Sequence, residues 1–253
     1  MGKIISFANQ KGGVGKTTSA VNVAASLGIL GFKTLLIDLD PQGSATSGVG
    51  IHKRGLKKTT IDLLTSDSDP KECILETEYK NLSVVPCTVT LASTEFKLYD
   101  LDNSEFRMRE ALNKIRDDYD YIIIDCPPSL GMLTVNAMTA CDGVVIPMQC
   151  EYYSLEGLSQ LMLTLKRIKE HYNSKLTIVG ILVTMYNGRL TLSAQVISQL
   201  KEHYPDQLFM NTISRSVKLS EAPSFGAPVY YHAKSSKGSK EYLGVAKELS
   251  MRI

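Results

Sequence analysis

The residues Lys11-Gly12-Gly13-Val14-Gly15-Lys16-Thr17-Thr18 concentrate the chemistry of this chain. They follow an apolar run, Ile4-Ile5-Ser6-Phe7-Ala8, and precede a helical pattern over 20–27. Strand, glycine-rich turn and helix are the setting a phosphate-binding loop requires. The glycines let the backbone curl until several N–H groups face one anion. The N-terminus of the next helix adds its partial positive charge. In that setting Lys16 reaches the β- and γ-phosphates of a nucleoside triphosphate, and the Thr17 hydroxyl is a ligand for Mg²⁺. Such loops commonly open with a glycine five residues before the last one. Gln10 stands there instead, and a second lysine, Lys11, follows it.

Three carboxylates have the spacing to serve that loop. Lys33-Thr34-Leu35-Leu36-Ile37-Asp38 reads as a buried strand, and Asp40-Pro41-Gln42-Gly43 as the polar turn after it. An acid at the C-terminal end of a parallel strand lies on the ligand-binding edge of the sheet. Asp40 is thereby a candidate to meet an attacking water, and Asp38 to meet the water shell of the metal. Tyr121-Ile122-Ile123-Ile124-Asp125 reads as a central strand buried on both faces, with Asp125 at the Mg²⁺ shell. Pro127 and Pro128 end it, and Ser129-Leu130-Gly131 opens a segment able to sense the γ-phosphate.

The elements that must position these groups alternate along the chain. Further strands are expected over 81–86, 142–147, 176–184 and 208–213. Helices are expected over 60–64, 104–117, 154–171, 192–203 and 238–250. Residues 50–80 are less regular, and 87–104 show no clear periodicity. The alternation predicts an α/β fold: a doubly wound, mostly parallel sheet with helices on both faces. Neither a linker nor a repeat interrupts it, so one domain over 1–253 is expected.

Bulk properties narrow the function. The chain has 253 residues, 43% of them hydrophobic, enough for a sizeable core. No apolar run approaches the ~20 residues of a membrane span. The first strand begins almost at Met1, which argues against a signal peptide and for the cytoplasm. The five cysteines, Cys73, Cys87, Cys126, Cys141 and Cys150, are widely spaced and contain no Cys-x-x-Cys pair. Buried thiols are the plain expectation. Net charge is +2, but residues 1–162 carry 15 basic against 20 acidic residues and residues 163–253 carry 13 against 6. The basic last third is suited to an anionic partner.

Taken together, the residues resemble one family. The loop over 11–18 resembles the deviant Walker A loop of the ParA/MinD ATPases. Asp38-Leu39-Asp40-Pro41-Gln42-Gly43 resembles their second motif, and Ile124-Asp125-Cys126-Pro127-Pro128 their Walker B strand. The likeness extends through Gln149-Cys150-Glu151-Tyr152-Tyr153-Ser154-Leu155-Glu156-Gly157 and Leu219-Ser220-Glu221-Ala222-Pro223-Ser224. It covers essentially the whole chain and is nearest to the short chromosomal ParA proteins of the Soj type.

The resemblance implies a switch that runs on ATP and Mg²⁺. ATP closes two copies face to face, and Lys11 reaches across to the phosphates of the other copy. Gly12 lies at the closest approach. Lys11, Gly12, Gly13, Val14, Gly15, Lys16, Thr17 and Thr18 together bind ATP and its metal, Asp40 serves hydrolysis and Asp125 is the Walker B acid. The closed homodimer binds double-stranded DNA without sequence preference, and a ParB-type centromere-binding protein stimulates otherwise slow hydrolysis. Arg189 and Lys218 match the DNA-binding positions, and Arg215 is a further candidate. Family members usually read Ile-Pro-Arg-Asn where this chain has Ile213-Ser214-Arg215-Ser216. That loop lines the adenine, which makes Ser214 and Ser216 the base-binding candidates. Lys218 replaces an arginine, keeping the charge and losing the planar fork.

Two other readings share the loop. A MinD-like membrane switch needs a C-terminal amphipathic anchor, whereas the apolar positions over 241–253 suit core packing and lack a strongly basic polar face. No membrane partner is therefore expected. An iron–sulfur ATPase needs cysteines placed to ligate a cluster between subunits, and nothing pairs with Cys126.

Overall fold

The computed structural model describes residues 1–152 and 154–253, with the side chain of Thr94 also left aside. Tyr153, part of the motif over 149–157, lies outside the described residues. The chain opens with β1 (Lys3–Phe7), α1 (Lys16–Leu30), β2 (Thr34–Asp38) and the short α2 (Ser44–Gly48). It continues through α3 (Thr60–Thr65), β3 (Leu75–Glu76), β4 (Leu82–Val85), α4 (Leu91–Leu98) and α5 (Arg107–Asn113). Then come β5 (Tyr121–Asp125), α6 (Met132–Ala140), β6 (Gly143–Gln149), α7 (Ser154–His171), β7 (Thr177–Thr184) and α8 (Thr191–His203). The chain closes with α9 (Val217–Glu221), α10 (Val229–His232) and α11 (Lys237–Arg252).

Among the described residues the sheet has seven strands in the order β3-β4-β2-β5-β1-β6-β7. Only β3 is antiparallel, at one edge against β4. The central strands are apolar on both faces, and the two faces are covered separately. Ile4, Ile37, Ile122, Ile124 and Ile146 face the larger core, closed by helices from α3 to α8. Ile5, Phe7, Leu36, Ile123 and Val145 face the second, closed by α1 and α11. α1 buries small residues along its length, including Ala20, Ala24 and Ala25. That slenderness lets it lie between the sheet and α11, where the Ser19 hydroxyl meets the Tyr242 hydroxyl at 3.1 Å.

The strand expected over 208–213 is not a strand. The segment follows the outer edge of β7, where the Phe209 N–H donates to Ile181 O at 3.0 Å and the Ile213 N–H to Val183 O at 2.9 Å, and just past β7 Ser214 lies beside Tyr186. Between those points Glu248 of α11 draws the backbone away, taking the N–H groups of Met210 at 2.8 Å and Asn211 at 3.0 Å. The helix expected over 104–117 is shorter. Asn103 has φ +52° and starts a turn. The Asn136 side chain then accepts the Met108 N–H at 3.0 Å, and a 3₁₀ turn at Arg116–Asp118 follows the helix. α4 lies in the stretch without periodicity. Cys73, Cys87, Cys126 and Cys141 are buried and Cys150 is half-buried.

Candidate nucleotide site and basic face

Parallel strands deliver their following loops to one edge of the sheet. Here β1 delivers residues 8–15, β2 delivers Asp38 and Asp40, and β5 delivers Asp125. Asp38 and Asp125 are register partners on neighbouring strands. The glycine-rich loop turns through Gly13 at φ +74° and Gly15 at φ +83°, the left-handed region that a side chain disfavours. No side chain caps α1 at Gly15, so the N–H groups of its first turn are left to the loop and to an anion.

The loop is braced from behind by residues that local spacing does not reveal. The Thr184 hydroxyl donates to Val14 O at 2.7 Å, and Gln149 Nε2 donates to Gly13 O at 2.7 Å. Asn9 donates from Nδ2 to Pro147 O at 2.7 Å and accepts the Lys11 N–H at 3.0 Å. Gln149 and Thr184 end β6 and β7 and Asn9 lies two residues past β1; of the three, Gln149 alone falls within a motif the sequence marks, that over 149–157.

The two lysines differ in surroundings. Lys16 is 6% exposed and its Nζ donates to Lys11 O at 3.1 Å. Burial lowers its pKa, and the charges of Asp125 and Asp40 partly oppose that. The Lys11 side chain is 39% exposed and is turned onto Glu151 of the same chain as an ion pair.

The acids also divide. Asp38 accepts from Thr46 twice, from its N–H at 2.7 Å and its hydroxyl at 2.6 Å, and from the Asp40 N–H at 3.3 Å. Burial still raises its carboxyl to about 6. Asp125 is fully buried, and neither of its oxygens has a hydrogen-bond partner of good geometry. Burial, then the neighbouring Asp38 charge, pushes its pKa well up, with the Thr17 hydroxyl opposing the shift. A buried carboxylate with open lone pairs is poised for a cation. The donors gathered here, two carboxylates and a hydroxyl, are the hard oxygens Mg²⁺ prefers, and Mg²⁺ takes few protein ligands when phosphates supply the rest. Asp40 lies in the turn outside, its carboxylate accepting the Gln42 N–H at 2.9 Å.

Beside Gly15 and Thr18 opens a cavity of about 450 Å³ whose far wall is Ile213, Ser214 and Ser216. Within that wall Ser214 is bonded to Glu241, donating from its hydroxyl at 2.7 Å and its N–H at 2.9 Å. Ser216 precedes α9. Arg215 belongs both to this wall and to a cleft of about 700 Å³ shared with Arg189 and Lys237. Lys237 was not singled out from sequence, although it belongs to the basic last third. Lys218 lies on α9 apart from that cleft, paired with Glu221 at 2.7 Å.

A protein-family profile described as an AAA domain matches residues 2–178. The chain is 49% identical over 250 residues to the sporulation initiation inhibitor protein Soj of Bacillus subtilis, covering 99% of each. It is 48% identical to the chromosome partitioning protein ParA of Myxococcus xanthus, covering 100% of this chain and 89% of that one. A solved structure of cobyrinic acid a,c-diamide synthase from Mycobacterium smegmatis, with bound ATP analog and magnesium, superposes with a TM-score of 0.85 at 32% identity. That match covers 98% of this chain and 93% of the other. With likeness running the full length of the curated relatives and a phosphate loop backed by acids on adjoining strands, the chain belongs to the Soj/ParA family of chromosome-partitioning ATPases.

Proposed function

We propose that this chain is one ATPase domain acting as an ATP-gated partition switch. ATP and Mg²⁺ are its cofactors. Gly13, Val14, Gly15, Lys16, Thr17 and Thr18 bind the phosphates, and Ser214 and Ser216 border the base. Thr17 would hold Mg²⁺ directly, with Asp125 and Asp38 acting through water. When bound, the ion neutralises charge on the phosphate oxygens. Asp40 orients the attacking water, and Lys16 and Lys11 stabilise the charge that develops.

The same reading places two copies face to face around ATP. The closed pair holds double-stranded DNA through Arg189, Arg215 and Lys218, without reading sequence. Hydrolysis, slow until a ParB-type protein stimulates it, opens the pair and frees the DNA. In this account the protein is cytoplasmic and moves onto the nucleoid in its ATP state. The membrane-anchored alternative is less well supported, because α11 buries Tyr242, Val245, Ala246 and Leu249 within the chain.

The observation that carries the face-to-face reading is Gly12. A Cβ built there meets nothing within 4 Å, and its φ is outside the left-handed region. This chain's own packing therefore has no use for a glycine at Gly12. A second surface approaching the loop does. Gly12→Val should fold and bind ATP as the wild type does, yet stay monomeric in ATP by sedimentation. A Gly12→Val protein that still dimerises with ATP would overturn the face-to-face reading.

A further inference from the structure

Asp40 works from a turn, and a turn needs an outside support to aim a side chain. Two bonds lie within the turn itself: Gly43 N–H to Asp40 O at 2.8 Å, and Gln42 N–H to the Asp40 carboxylate at 2.9 Å. The outer rim is tied down by a residue eleven positions later, Lys53, whose Nζ donates to Gln42 O at 2.6 Å. The lysine stem also lies over Gly43. A Cβ at Gly43 would meet Lys53 Cε at 2.8 Å, and Gly43 itself has φ +62°.

The base from which Lys53 reaches back is fixed. The chain leaves α2 through bonds from Gly50 N–H to Ser47 O and from Ile51 N–H to Thr46 O, each 3.1 Å. Thr46 is the residue that holds Asp38. The segment from Gln42 to Lys53 is thus a closed ring of chain, anchored to one acid of the site and closed by a single ammonium on the turn of the other. The bond is open to solvent, so it directs the turn while adding little to global stability.

We propose that Lys53 is a positioning residue for ATP hydrolysis: it holds the Asp40–Gly43 turn so that the Asp40 carboxylate faces the water. This rests on the reading of Asp40 given above. Lys53 touches neither Lys16 nor the loop over 11–18 through any hydrogen bond found among the described residues, so it acts on turnover and not on ATP affinity. A misplacement on the order of 1 Å at such a group costs up to about a hundredfold in rate. Loss of one support, with the two internal bonds kept, should cost about tenfold.

The test is steady-state ATPase kinetics, with random-sequence DNA present, on Lys53→Met, Lys53→Arg and Asp40→Ala. Lys53→Met should lower kcat about tenfold and leave the KM for ATP and the melting temperature unchanged. Lys53→Arg, which keeps a charged donor at similar reach, should recover most of kcat. Wild-type kcat in Lys53→Met, with Asp40→Ala inactive, would overturn the proposal alone. A raised KM with kcat unchanged would also overturn it, since Lys53 would then serve ATP binding. Wild-type turnover in Asp40→Ala would instead overturn the Asp40 reading, and this proposal with it.

Discussion

Lys16 is a nearly buried cation placed among acids, and each side of that arrangement depends on the other. Without Lys16, Asp125 and Asp38 face a polyanion with no fixed positive charge between them. Hydrogen bonds to charged groups are worth ~1.5–3 kcal/mol each, and the role proposed for Lys16 gives it more than one to a triphosphate. Lys16→Ala should therefore weaken ATP binding at least about a hundredfold, as measured by equilibrium titration. Tight ATP retention in that variant would remove the role assigned to Lys16. The residues of this cluster were legible in the sequence because their chemistry is local: the loop is contiguous, and each acid ends an apolar run. The residues that brace them were not. Thr46, Gln149, Asn9 and Thr184 acquire meaning only through partners on other elements, up to 170 positions away in the case of Thr184 and Val14. Lys53 stands in a basic run with Arg54, Lys57 and Lys58 that reads as a solvated loop, and its carbonyl partner and the stem lying over Gly43 set it apart.

The elements followed their patterns wherever burial was strong. The central strands and α7 end within a residue or two of where periodicity put them, since an apolar strand between two helical layers has one place to go. The exceptions lie at edges. β3 is two residues long and is set by pairing with β4. α4 turns Phe96 to solvent, as does Tyr99 just after it, so its apolar spacing carries no clear face. The segment 208–213 has strand composition, yet between its bonds to β7 at Phe209 and Ile213 the Glu248 carboxylate takes the N–H groups of Met210 and Asn211. Burial pushes the Glu248 carboxyl up, but donors from Met210, Asn211 and Arg252 outweigh it and hold the pKa below its ordinary value. A depressed folded pKa means the unfolded chain takes up the proton first as pH falls. The stabilisation is therefore present above the ordinary carboxylate range and is lost as pH drops through the folded value. Glu248→Gln should lower stability at neutral pH by about 1–2 kcal/mol. It should also flatten the fall in melting temperature below about pH 5. An unchanged acid slope would show that Glu248 is not the titrating pin.

At the scale of the molecule, charge is divided along the chain, and the fold gathers part of the basic share beside the nucleotide site. Arg189, Arg215 and Lys237 share one cleft, and Arg215 also borders the cavity next to Gly15. Lys218 is partly spent on Glu221, which also meets His232 at 3.4 Å. The sequence carried the imbalance and the resemblance named two positions, but which cations share a surface is a property of the fold alone. Backbone binding to DNA is a sum of phosphate contacts, each adding to the salt dependence. In the proposed switch such binding belongs to the ATP state. Binding to a long random-sequence duplex, measured with ATP, ADP or no nucleotide at two salt concentrations, decides this. Asp40→Ala would be run to hold the ATP state, with and without Arg189→Glu and Arg215→Glu. Binding is expected with ATP only, weaker at the higher salt and lost in the arginine variant while ATP is still bound. Binding that is equal in all nucleotide states, or absent in every state from protein that holds ATP, would contradict it.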